Sequence, residues 1–175
     1  MIFQSKFQKG FTLVEILVYI AVLILVAGVI YNFLVWSITT NTKTKVMREA
    51  LDNSRRAMEI MTAEIKKAKS VYTPATNSIQ LSLETTNYLP SGEITSYADF
   101  YLCGTQLCLK REFQEPIALT SDEVEISNLV FTQVNSSSTF PSILVDLKVD
   151  YKNPNNRSEY EATVNLTSVA SLRSY

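Results

Sequence analysis

After a short leader containing Lys6 and Lys9, the chain turns apolar at Phe11 and meets its next basic residue only at Lys43. Ile16 to Trp36 is an Ile/Leu/Val/Ala-rich stretch broken only by Tyr19, Gly28, Tyr31 and Asn32. A helix rising about 1.5 Å per residue needs about 20 such residues to cross a bilayer, so this stretch predicts a membrane-spanning helix. Lys6 and Lys9 on its amino-terminal side place residues 1–10 in the cytoplasm by the positive-inside tendency, with the remainder outside. Tyr31 and Trp36 suit an interfacial aromatic belt. A secretory signal would have a shorter apolar region and a small-residue cleavage site, which this stretch lacks. A plain signal anchor is the alternative.

The helical period continues past Trp36. Met47, Leu51, Ser54, Met58, Met61, Ile65 and Ala68 recur at steps of four and three and mark one apolar stripe. Arg48, Asp52, Arg55, Arg56, Glu59, Lys66 and Lys67 fall on other faces. Pro74 ends the pattern, because the residue before a proline is pushed away from helical angles. The expected helix runs from about Phe11 to about Ser70, about 90 Å at 1.5 Å per residue. A coiled-coil dimer would use the same stripe, but packing on the chain's own sheet suits its short length better.

Beyond Pro74 the period falls to two. Ile79, Leu81 and Leu83 alternate with polar residues; Phe100–Cys103 and Cys108–Phe113 read as the arms of a hairpin. Val145, Leu147, Val149 and Tyr151 alternate with Asp146, Lys148 and Asp150, and Tyr160, Ala162, Val164 and Leu166 with Glu161, Thr163 and Asn165. Asn153–Asn156 is a turn between the last two runs. Val124 to Val134 is a further strand whose centre departs from strict alternation. The expected fold class is α+β: one long amino-terminal helix packed on an antiparallel sheet. The expected organisation is a leader (1–10), a transmembrane helix (11–36), an amphipathic continuation (37–73) and a β head (74–175).

Composition narrows the chemistry. The 175 residues carry a net charge of −1, and without Lys6 and Lys9 the balance is 14 basic against 17 acidic residues, −3. No basic excess supports general nucleic-acid binding. Histidine is absent, which removes the commonest general base and metal ligand. Ser136–Ser138 is a loop-like patch. No phosphate loop, nucleophile elbow or metal-ligand cluster is present in the sequence, so no enzyme activity and no cofactor are expected. Asp122, Glu123 and Glu125 could be a calcium loop but are more ordinary as a solvated turn. Asp146 and Asp150 read as solubilising charges.

Cys103 and Cys108 flank a four-residue loop. In the expected hairpin they face each other at its base, within reach of a disulfide, and a head outside the membrane would keep it oxidised. So small a loop makes the bridge a clamp on the turn. Two reduced core cysteines are the alternative.

The junction Lys9-Gly10-Phe11-Thr12-Leu13-Val14-Glu15 sets one acid at the mouth of the apolar helix. A carboxylate at the edge of hydrocarbon is costly unless paired. Thr12-x-x-Glu15 is also a capping-box pattern, in which Glu15 would only cap the helix. Taken together, the leader, the Gly-Phe junction, the acid four residues on and the apolar helix resemble the amino-terminal signature of type IV pilins and type II secretion pseudopilins. The resemblance implies cleavage between Gly10 and Phe11 by a prepilin peptidase, N-methylation of Phe11, and a role for Glu15 in guiding subunits into a filament. The cationic amine of Phe11 would pair with Glu15 or with the same acid of a neighbour. Less specifically, Arg55–Glu59 through Glu64-Ile65, the Phe100–Arg111 hairpin and Ser171-Leu172-Arg173 resemble larger minor pilins, including the J class of minor pseudopilins. The partners implied are other pilin-like subunits, the prepilin peptidase and the inner-membrane assembly platform. A pilin-like module binding DNA, a surface or a secreted substrate is a second reading. An unrelated single-pass anchored domain, uncut after Gly10, is a third.

Overall fold

The computed structural model describes residues 10–73, 76–87, 89, 91–134 and 141–172. The leader up to Lys9, Pro74, the Ser136–Ser138 patch and Arg173 lie outside these. The chain divides into two compact units, Met1–Asn41 and Thr42–Tyr175. One helix, α1 (Leu13–Lys67), contributes to both, and among the described residues eight strands follow it, all paired antiparallel. The layout is α+β, as in the pilin fold.

In the first unit α1 holds the apolar stretch, long and apolar enough to cross a membrane. Two of its polar side chains bond back to the helix itself: Asn32 Nδ2 donates to the Gly28 carbonyl at 2.8 Å, and Thr39 Oγ1 to the Trp36 carbonyl at 2.9 Å. Hydrocarbon offers no other partner, so such internal bonding is what a membrane helix requires.

In the second unit the helix buries Val46, Ala50, Ala57, Met58, Met61 and Ile65. The stripe differs from the expected one at its start: Met47 is 39% exposed and Leu51 only partly buried, while Val46 and Ala50 face inward. Ala162 and Val164 complete that cluster, so the sheet's position, rather than side-chain size, chooses which helical column is covered. The helix ends at Lys67 and the chain goes straight into pairing: the Lys69 N–H donates to the Glu84 carbonyl at 2.8 Å, and β1 (Ser70–Val71) lies against β2 (Leu81–Thr85).

The strands form two sheets where one was expected. The first runs β1–β2–β3–β4–β5, with β3 Ser96–Cys103, β4 Gln106–Arg111 and β5 Ile117–Ala118. The second runs β6 (Val124–Val134), β7 (Ser142–Tyr151) and β8 (Thr163–Ser171). The irregular centre of β6 is a register shift between Ile126 and Asn128. Tyr160, read from its alternation as strand, lies instead in a 3₁₀ turn, Ser158–Tyr160, and β8 extends further, to Ser171. Asn153 builds this turn by bonding both backbone groups of Arg157 at 2.9 Å, and Asn156 takes a left-handed φ of 52° that asparagine tolerates.

A larger core joins helix and both sheets, with Met61, Ile65, Leu81, Phe100, Leu107, Val145 and Val149 wholly or almost wholly buried. At its margin Arg111 Nη2 meets Glu64 Oε1 at 3.1 Å, tying β4 to α1. Ala98 stands opposite Arg111 in the register.

Cys103 and Cys108 form a disulfide with Cα atoms 5.8 Å apart. They are not opposite each other: the hairpin turns on Gly104-Thr105, which pairs Cys103 with Gln106 and Cys108 with Tyr101. The bridge joins diagonal neighbours on one face, a consequence of the tight turn that Gly104, at φ +70°, permits.

Glu84 clamps the helix exit. Its carboxylate accepts from Ser70 Oγ at 2.7 Å and Lys69 Nζ at 3.0 Å, and these bonds hold its pKa below the usual value. The stabilisation is present above about pH 4.5, the ordinary carboxylate value, and is lost as pH falls through the lowered native pKa. Glu84→Gln is therefore expected to flatten the acid limb of a stability-versus-pH curve, by less than about 1 kcal/mol because Lys69 is exposed. Urea unfolding of both proteins across the acid range checks this; identical acid limbs would refute it.

Candidate functional site

Glu15 is the one charged side chain between Gly10 and Asn41. Thr12 stands just before α1 as its cap: its Oγ1 accepts the Glu15 N–H at 3.2 Å, and its carbonyl accepts the Ile16 N–H. Thus half of the capping box is present. The Glu15 carboxylate turns the other way, along the helix, where Oε1 accepts the Tyr19 hydroxyl at 3.0 Å. The four-residue step between Glu15 and Tyr19 puts the two groups on one face.

Tyr19 also touches the junction. Its ring meets the Phe11 ring edge-on, centroids 6.5 Å apart and planes at 75°. One tyrosine therefore contacts both the residue after the Gly-Phe bond and the acid. Sequence reasoning treated Tyr19 only as an interruption of an apolar run; its spacing from Glu15 was the signal available. Phe11 is 73% exposed, and a Cβ placed on Gly10 would meet no atom within 4 Å. Nothing in the described chain requires glycine there.

The other acids singled out in the sequence do not gather into a site. Glu123 Oε2 accepts the Tyr151 hydroxyl at 3.0 Å, while Asp146 and Asp150 accept from Thr167 and Thr163 of β8. Burial, and then the Glu123 carboxylate, push the Tyr151 phenol above its ordinary pKa, so it serves as a proton donor to that acid.

Against known families, residues 5–31 match the model described as the prokaryotic N-terminal methylation motif. The chain carries that motif. The methylation motif spans the Gly10–Phe11 junction, Glu15 and Tyr19, and ends within the apolar helix, short of every strand. It fits the type IV pilin and pseudopilin family, and implies processing by a prepilin peptidase and assembly with other pilin-like subunits. Together with the apolar helix it fits a membrane-anchored protein. No curated protein and no solved structure matches the chain.

Proposed function

We propose that the chain is a minor pilin or pseudopilin, cut between Gly10 and Phe11, methylated on the new Phe11 amine, and held in a filament through Glu15. The observation that carries this reading is the methylation motif falling on a capped helix whose lone acid points its carboxylate along an apolar surface. In that surface a neighbour's Phe11 amine offers the charge Glu15 lacks. The openness around Gly10 supports a glycine chosen for the peptidase, since packing does not call for it. The Cys103–Cys108 disulfide supports a head outside the cytoplasm, with residues 1–10 inside. The resemblance to larger minor subunits favours a place near the tip and a part in starting assembly. A head groove of about 470 Å³ mixes Lys45 with Glu49, Glu123 and two tyrosines, and so lacks the basic lining that DNA binding needs.

Mass spectrometry of the amino-terminal peptide, from protein made in its native membrane, tests the reading. The expected peptide begins at Phe11 with one added methyl group. A peptide still joined through Gly10, in cells with an active prepilin peptidase, would overturn it.

A further inference from the structure

In the first sheet Val71, Leu83, Ala98 and Phe100 pack on the core, so their neighbours along the strands face away from it. That outer face brings together Tyr72, just after β1, Tyr97 and Asp99 of β3, Lys110 of β4, and Glu112 just beyond β4. The Glu112 N–H donates to the Tyr97 carbonyl at 3.0 Å, and Asp99 stands opposite Lys110 in the register. With Phe113 these residues line a groove of about 290 Å³. The Tyr72 and Tyr97 rings meet within it, centroids 5.0 Å apart and planes tilted by 58°.

Two features of this groove work against the fold. Phe113 holds a left-handed φ of 57°, a strained conformation for a bulky residue, and its side chain is 78% exposed. Packing therefore does not compensate for the strain, and strain of this kind collects at ligand clamps. Glu112 keeps one carboxylate oxygen, Oε2, out of solvent with no hydrogen-bond donor among the described residues. A buried oxygen left so is costly. Lys110 does not relieve it: among the described residues it forms no ion pair with Glu112 or with Asp99. One lysine could in any case offset only one of the two acids.

We propose that this groove receives an arginine side chain of a partner protein, its guanidinium laid on the tyrosine rings and paired with Glu112. Aromatic faces attract a cation lying within about 6 Å of a ring centroid, and one position can serve both tyrosines. The guanidinium is planar and weakly hydrated, so it stacks on rings and binds a carboxylate through two N–H groups, which a compact ammonium does not. With a small turn of the carboxylate it supplies the donor that Oε2 lacks. Its charge balances the acid left over by Lys110, and its stem gives the Phe113 ring something to cover. Other occupants fit worse. An apolar chain would bury Asp99 and Glu112 without partners, and an anion would meet two carboxylates. The groove lies wholly in the second unit, so its binding is independent of cleavage after Gly10.

Saturation-transfer NMR on the full chain in deuterated detergent micelles tests this, with N-acetyl-arginine amide as the probe. N-acetyl-citrulline amide has nearly the same shape without the charge and serves as the comparison. The arginine amide should take up saturation and the citrulline amide should not. Glu112→Gln keeps the size of the side chain and should weaken arginine binding about tenfold, the worth of one charge-assisted pair. Lys110→Gln removes a like charge and should strengthen it. Phe113→Gly should weaken binding yet raise the melting temperature by a few degrees, because glycine adopts the positive φ without strain. A residue that only supported the fold would move both in the same direction. Melts followed by circular dichroism check that each variant folds. The proposal is overturned if the arginine amide takes up no saturation or if the citrulline amide binds equally well. Wild-type arginine binding by Glu112→Gln or by Phe113→Gly would overturn it too.

Discussion

Glu15→Ala is expected to remove the subunit from filaments while leaving the head folded. The acid sits on a helix with no other charge from Gly10 to Asn41, and its nearest donor is the hydroxyl of Tyr19 at 3.0 Å. In a filament the Phe11 amine of a neighbour would pair with it. Without the acid that amine is left unpaired in apolar surroundings, a penalty of about 3 kcal/mol, or about a hundredfold in incorporation. Tyr19→Phe keeps the charge and the ring contact with Phe11 but deletes the donor, so its effect should be the smaller, about 1 kcal/mol. Quantifying each variant in sheared filaments against the membrane pool separates the two. Wild-type incorporation of Glu15→Ala, with Phe11 correctly exposed, would show that the Glu15 carboxylate plays no part in assembly.

Phe100→Ala should cause the greatest loss of stability. Phe100 is fully buried on β3, between Leu81 of β2 and Leu109 of β4 in the register, and belongs to the cluster that holds Met61 and Ile65 of α1. Removing the ring leaves a cavity where helix and sheet meet, at a cost of about 4 kcal/mol. For a unit of this size that lowers the melting temperature by roughly 12–15 °C. Val169→Ala, at a position 56% exposed, should change little. Thermal melts of the full chain in detergent, followed by circular dichroism, give both values. An unshifted Phe100→Ala melt would mean that the first sheet does not rest on the helix through this residue.

These two residues mark the two kinds of demand on α1. Its first half is apolar and buries nothing among the described residues, as a membrane-spanning segment requires. Its second half must present a narrow inward column. Small Ala50 and Ala57, both fully buried, allow close approach of the sheets, and Glu64 is admitted to the buried face because Arg111 reaches it from β4.

The local pattern along the chain determined the helix, the hairpin, the alternation of β7 and the methylation motif around Gly10, Phe11 and Glu15. Periodicity and short-range spacing are properties of neighbouring residues, so they can be read without knowing what packs on them. Tertiary structure alone decided the rest. The division into two sheets, the diagonal disulfide and the choice of Val46 over Met47 as the inward column depend on which strands meet across long stretches of sequence. Tyr19 lay in between: its step from Glu15 was visible, but only the carboxylate's turn away from Thr12 gave that step a meaning. That β8 has no strand on its outer side among the described residues is the clearest tertiary result, because a strand's own residues do not reveal whether a neighbour covers it.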